Sequence, residues 1–333
     1  MHEIVLKSSE RSFRISLAKT IEGATRGTRA KTADINFLTF VETLRHLVSA
    51  TRSESKHFLI IDGLDDILLR EPIQFDALAS LGVEVSRINS TLQESGSPAK
   101  IVLLCRSDIY DRLPGSNLNK IRRDSAIELN WYSNPKHPER SNLVALSNAK
   151  ARVTDPTLSD IFAAFFPVVI GYGKYDVPVR RYLLERTRHL PRDFLQLLKS
   201  VQETAGQSKS RLTEDVVRSA VGHYARTYFI SEIRDELAGH LTVENRDLGL
   251  SALSRLRSTR FTMEDFTSAV IADSASFESE KFLGLLYDCG AVGNLRDNGY
   301  VAFRYRSPSV SFNPSITIIL HRALSRAFNV PAG

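Results

Sequence analysis

The stretch "HFLIIDGLDDILL", residues 57–69, sets four consecutive apolar side chains, Phe58, Leu59, Ile60 and Ile61, directly ahead of three acidic residues, Asp62, Asp65 and Asp66. A short unbroken apolar run bounded by turn chemistry reads as a strand buried on both faces, the form that parallel strands take in α/β sheets. Ligands of such sheets sit beyond the carboxyl ends of the strands. Carboxylates in that place are either the solvated end of a strand or one side of a metal and nucleotide site, and the neighbouring sequence has to decide between them.

Upstream, "INFLTFVETLRHLV" (35–48) places apolar residues at 37, 38, 40, 41, 44, 47 and 48, a helical spacing, with Asp34 positioned as an N-cap. Downstream, "IQFDALASLGVEVSRINSTLQE" (73–94) repeats the helical pattern, "SGSP" marks a turn, and "KIVLLC" (100–105) is a second apolar strand. Helix, strand, helix, strand is the alternation of a parallel sheet. A third strand is expected at "SAIELNWY" (125–132).

From about residue 140 strand-like runs give way to helical ones at 139–151, 157–166, 178–189, 192–204 and 213–240, an all-helical subdomain over 136–241. Pro191 and Asp193 suit the start of one of these helices, where a proline costs nothing and a carboxylate meets the positive end of the helix dipole. Residues 242–333 then show three helical segments, "TVENRDLGLSALSRL", "FTMEDFTSAVI" and "SFESEKFLGLLYDCGAV", the second opening with Thr262 and Asp265 in capping-box spacing. A hairpin follows, turned by "RDNG" between "AVGNL" and "YVAFRY", and "ITIILHRALSRAF" (316–328) reads as a closing amphipathic helix. Three helices and a hairpin are the layout of a winged helix-turn-helix.

Composition narrows the classes. The chain of 333 residues is 42% hydrophobic and 25% charged, ordinary globular material. No run of about 18 apolar residues is present, so no membrane association is expected. Two cysteines, Cys105 and Cys289, make no disulfide framework, and the first residues lack the pattern of a signal peptide, so a cytoplasmic location is expected. The formal charge of +6 favours polyanionic contacts without specifying them. Histidines at 57, 137, 189, 223, 240 and 321 have no metal-ligand spacing, and no Gly-x-Ser-x-Gly elbow occurs.

The segment "FLIIDGLDDIL" resembles the Walker B segment of STAND-class P-loop ATPases, especially the NACHT type. "KIVLLCRSDIYDRL" and "RTRHLPRDFLQLLKSV" fall where that class and the related AAA+ and origin-recognition ATPases place their two sensors. The order of acidic strand, arginine-ended strand, helical lid and winged helix resembles a group of bacterial P-loop ATPases that end in a winged-helix module. The resemblance implies Mg2+ on Asp62, water positioning by Asp65 and Asp66, and contacts of Arg106 and Arg192 with the γ-phosphate of ATP. It also implies a partial P-loop NTPase core over 1–135, a lid over 136–241 and a winged helix over 242–333.

The sequence departs from that pattern in having no G-x-x-x-x-G-K-[ST] loop. The nearest stretch, "TRGTRAKT" (25–32), keeps Lys31 and Thr32 but has Thr25 and Ala30 where the glycines belong, and it reads better as a basic surface loop. Hence two expectations stand. Either the Walker A loop is supplied upstream or by a partner and the chain belongs to an ATP-dependent switch or motor, or it is an inactive ATPase-like scaffold serving as a DNA-binding or protein-interaction adaptor. For nucleic acid, Arg296, Arg304 and Arg306 on the hairpin are the candidate contacts, with Tyr300 and Tyr305 interleaved. The helix that would enter a groove carries Glu278, Glu280 and Asp288, which leaves DNA and a protein partner, or self-assembly, evenly weighed.

Overall fold

The apolar run after His57 is a strand, β1 (His57–Ile61), and the run at 99–103 is its parallel neighbour β2 (Ala99–Leu103), with His57 opposite Ala99 and Ile61 opposite Leu103. The computed structural model describes residues 33–50, 52–64, 72–133, 136–172, 175–206, 210–238, 240–270 and 277–331. The chain divides into two units, 1–128 and 129–333.

In the first unit, α1 (Ala33–Ala50) precedes β1, and α2 (Pro72–Glu94) is the crossover helix to β2; α3 (Ser107–Tyr110) and α4 (Leu118–Ser125) follow. The expected helix–strand–helix–strand order is present, although α1 already includes Asp34, so that residue is not its cap. Leu78 of α2 and Ile109 of α3 are buried with Leu64, Phe75, Leu81, Cys105 and Leu113 around them. Asn89 of α2 closes the ladder of β2: its side-chain amide donates to the Ile101 carbonyl and accepts from the Ile101 N–H, both at 2.8 Å. The expectation of a strand buried on both faces fails for β1, since Phe58, Leu59 and Ile60 are 60, 59 and 61% exposed. Among the described residues β1 has one strand neighbour, and a central strand needs two. The strand expected at 125–132 is also corrected. Residues 126–133 form neither helix nor strand, and Ile127 and Leu129 are 88 and 74% exposed.

The second unit starts with a short 3-10 turn (Pro138–Arg140) and α5 (Asn142–Thr154), capped by the Ser141 hydroxyl. Next come α6 (Ile161–Phe165), capped by Asp160, and an antiparallel hairpin of β3 (Val169–Tyr172) and β4 (Tyr175–Pro178). This hairpin corrects the expectation of helices alone. Val168, Val169 and Ile170 are β-branched, and Pro167 and Pro178 bound the segment, so a helix is disfavoured there. Then follow α7 (Val179–Leu184), α8 (Pro191–Ala205) and α9 (Glu214–Tyr224), which runs through a π turn (Ala225–Phe229) into α10 (Ile230–Ala238).

The last 90 residues contribute α11 (Val243–Ser254), β5 (Arg260–Phe261), α12 (Met263–Ala269), α13 (Ser279–Asp288), β6 (Val292–Leu295), β7 (Val301–Ala302), β8 (Ile318–Leu320) and α14 (Arg322–Phe328). Their antiparallel sheet has the order β5-β8-β6-β7. The capping box of Thr262 and Asp265 is formed, and Gly299 closes the "RDNG" turn at φ 77° with its N–H on the Arg296 carbonyl at 2.8 Å. The closing helix is shorter than its apolar pattern suggests. Ile318–Leu320 is the strand that joins β5 to β6, because a run of Ile316, Thr317, Ile318 and Ile319 favours the pleated form and His321 caps the helix only from 322. One hydrophobic core runs from Leu143 to Val330, so the helical segments and the last 90 residues pack as one body.

Phe282 and Phe266 stack in that core with ring centroids 5.7 Å apart, and Gly249 of α11 lets Phe282 lie against its backbone. A Cβ at position 249 would come within 2.4 Å of the Phe282 ring. Gly249→Ala is therefore expected to cost about 1–3 kcal/mol through overpacking, despite the better helix propensity of alanine. Chemical denaturation reads this as a lower midpoint with unchanged slope, and a stabilised variant would refute it.

Candidate functional site

Because β1 and β2 run in parallel and in register, their carboxyl ends lie at one edge, with the Leu104 N–H donating to the Ile61 carbonyl at 2.9 Å. Asp62 leaves β1 at that edge and Arg106 follows two residues after Leu104. Asp62 is exposed. Its Oδ1 accepts the Gly63 N–H at 2.8 Å, and Gly63 has φ 77°, so the chain turns sharply away behind the carboxylate. Arg106 is exposed and extended (φ −66°, ψ 139°) at the cap position of α3, and its carbonyl accepts from the Tyr110 N–H at 2.9 Å. Asp65 and Asp66 lie outside the described residues.

A hard, oxygen-only ligand on an exposed strand end suits Mg2+, which binds proteins through one or two carboxylates and completes its shell with water and phosphate. Asp62 fits that ion, and an arginine at the end of the neighbouring strand fits a phosphate oxygen. The backbone cradle and lysine that would grip a triphosphate have no counterpart in the sequence. No hydrolytic step follows from these residues.

The turn that leads into α8 is organised differently from expectation. Arg192 is exposed at its second helical position, whereas Arg188, four residues earlier, is buried. Arg188 forms a fork on Asp193, Nε to Oδ2 at 2.8 Å and Nη2 to Oδ1 at 3.1 Å, and its Nη1 reaches Glu236 and the Cys289 carbonyl. Glu232 stands 3.8 Å away, and the Tyr228 hydroxyl donates to Asp193 at 3.5 Å. Burial works against the Arg188 charge, but the carboxylates of Asp193 and Glu236 outweigh it and hold the guanidinium well above its usual range. The same burial, with Glu236 beside it, pushes the Cys289 thiol up. The π turn serves this junction: Arg188 lies over the Phe229 ring at 5.5 Å, and Phe229 stacks on His321 at 4.8 Å.

His189 comes next and is buried with φ 55°, a left-handed backbone rarely adopted by residues with a side chain. Its ring meets Tyr132 edge-on at 4.8 Å and stacks on Tyr305 at 5.5 Å, and neither ring nitrogen has a hydrogen-bond partner. Burial first, and the Arg306 charge second, lower its pKa to about 3. His321 is fully enclosed. Its Nδ1 accepts from the Ala323 N–H at 3.1 Å and its Nε2 lies 3.2 Å from the Thr187 carbonyl, which ties α14 to the same turn. Burial again lowers its pKa, well below the usual value, with help from Arg306.

Of the hairpin arginines, only Arg296 is fully exposed, at the β6–β7 turn. Arg304 donates to the Pro308 carbonyl. Arg306 is half-buried, with its guanidinium 5.2–5.6 Å from the rings of Phe303, Tyr132 and Tyr305. The candidates therefore do not form one basic surface. The sequence reading passed over Arg188, His189, His321 and Tyr132. The signal it had was the density of "RTRHLPRD", in which Arg186, Arg188, Arg192 and Asp193 fall within eight residues.

Residues 142–248 match the family described as the FunZ-associated C-terminal helical domain. The matched stretch runs from α5 into α11 and contains Arg188, His189, Asp193, Glu232 and Glu236, while Cys289, Arg306 and His321 lie beyond it. No curated protein and no solved structure matches the chain. Among the described residues no helix is long and apolar enough to cross a membrane, and no cluster of three metal-ligating side chains occurs.

Proposed function

We propose that this chain is the acidic, sensing part of an ATP-dependent switch of the P-loop class, coupled to a winged-helix module at residues 242–331. The observation that carries the reading is the register of β1 and β2, which sends Asp62 and Arg106 out at one edge of a parallel pair, where nucleotide and Mg2+ bind in doubly wound sheets. The order β5-β8-β6-β7, with three helices before β6, supports the module. Asp62 holds Mg2+ on a triphosphate, and Arg106, which leaves the neighbouring strand at the same edge, reports the γ-phosphate. Bound Mg·ATP supplies the charge that these side chains read. In this reading the grip on the phosphates is supplied upstream or by a partner, and the C-terminal module conveys the state to DNA or a protein partner.

The test is Mg2+-dependent binding of ATP by the purified protein with any co-purifying partner retained. Asp62→Asn is expected to weaken Mg·ATP binding at least about 10-fold while leaving metal-free binding unchanged. Absence of any Mg2+-dependent binding overturns the switch. It leaves the second reading, an ATPase-like scaffold, which is favoured by the use of Arg188 in a fixed ionic junction at the very turn expected to sense nucleotide.

A further inference from the structure

Residues 129–133 are the first of the second unit, and they follow directly on Glu128, where the first unit ends. Tyr132 is half-buried against three side chains from distant parts of the chain: His189 at the turn before α8, and Tyr305 and Arg306 after β7. Its ring covers one side of the Arg306 guanidinium at 5.5 Å, with Phe303 and Tyr305 at 5.2 and 5.6 Å. An arginine held over aromatic faces keeps its charge but gives up its approach to phosphate oxygens. The enclosure is also poorly satisfied. Both ring nitrogens of His189 are buried without hydrogen-bond partners, and His189 is in a strained backbone conformation. Unpaired buried polar atoms that share one small cluster mark a place where the packed arrangement is held against an alternative.

We infer that Tyr132 is an intramolecular gate on Arg306: packed, it withholds the guanidinium; released, it exposes a cation for the phosphate backbone of a nucleic acid. The inference rests on the reading of residues 242–331 as a module that contacts DNA. Tyr132 sits beside Trp131, which packs against the core of the second unit and is the single tryptophan of the protein. Release of the segment is therefore visible in the intrinsic fluorescence.

The experiment measures binding of a fluorescein-labelled DNA duplex to the full chain between 50 and 200 mM salt, with heparin as a second polyanion. Tyr132→Ala is expected to bind tighter than wild type and with a steeper salt dependence. One added phosphate contact raises the log–log slope by about 0.9, so the gain is about 3-fold larger at 50 mM than at 200 mM salt. Tyr132→Phe keeps the ring and should bind like wild type, and Arg306→Ala in the Tyr132→Ala background should abolish the gain. In wild type, saturating duplex should shift Trp131 emission to the red, with no shift in Arg306→Ala. This readout holds even if Tyr132→Ala folds poorly. Binding by wild type with no gain in a folded Tyr132→Ala and no Trp131 shift overturns the gate alone, as does a gain that survives Arg306→Ala. No polyanion binding by any variant overturns the gate and the DNA-contact reading together.

Discussion

Arg188→Ala is expected to lower the stability of the second unit by about 3–5 kcal/mol, the cost of stripping one partner from a buried ion pair. The side chains of Arg188 and Asp193 are only 4 and 1% exposed, so removal of the guanidinium leaves a carboxylate with no access to water and Glu236 without its main partner. What remains for Asp193 is the Arg188 backbone N–H at 3.3 Å and the Tyr228 hydroxyl at 3.5 Å. For a unit of this size, that loss lowers the melting temperature by roughly 6–20 °C. Asp193→Asn should cost less, because the amide still accepts a hydrogen bond. The contrast with Arg192→Ala is the sharper check: that residue is exposed, and its removal should change stability by no more than about 0.5 kcal/mol. If the two arginine variants melt together, the junction does not stabilise the unit as its geometry says.

Acidification is the second large effect. His189 is neutral in the folded protein, with a pKa of about 3 against 6.5 for an ordinary histidine. Between those values the unfolded chain binds a proton that the folded chain refuses. Stability is therefore complete above pH 6.5, falls as pH drops through the window, and reaches its full loss below about pH 3. At pH 4.5 the contribution of His189 alone is about 2–3 kcal/mol, at 1.36 kcal/mol for each unit crossed. His321 is shifted in the same direction, and burial is the main cause for both. The charges facing them are cationic, Arg306 for both and Arg188 also for His321, and at His321 the Thr187 carbonyl offsets only part of the shift. Denaturant midpoints at pH 7.5 and 4.5 measure the loss. His189→Asn, which tolerates the left-handed backbone and does not titrate, should recover about half of it. An unchanged slope of stability with pH in that variant would show that the loss arises elsewhere.

Most of the element order was legible in the amino-acid sequence. The helical spacing of residues 35–48 and 73–94, the apolar runs at 57–61 and 100–103, the capping box at Thr262 and the "RDNG" turn all depend on neighbours within a few positions, and the structure has each of them. The errors share a cause. The run at 125–132 has strand composition, but a strand needs an edge to pair with, and Trp131 and Tyr132 are packed instead in the second unit. Residues 316–320 read as helix from the apolar pattern that continues into 321–328, yet their β-branched run favours the pleated form and β5 and β6 pair with it.

For the candidate site, sequence determined which residues leave the two parallel strands, because strand ends are set by local chemistry: Asp62 and Arg106 were named from it. Tertiary structure alone decided which arginines are available. Arg188 and Arg192 lie four positions apart in one polar stretch, and nothing local distinguishes them. Burial separates them, since Glu236 and the Cys289 carbonyl arrive from 48 and 101 positions away to surround one guanidinium and leave the other in solvent. Arg306 is enclosed in the same way, since the Tyr132 ring reaches it from 174 positions away only through the packing of the folded unit.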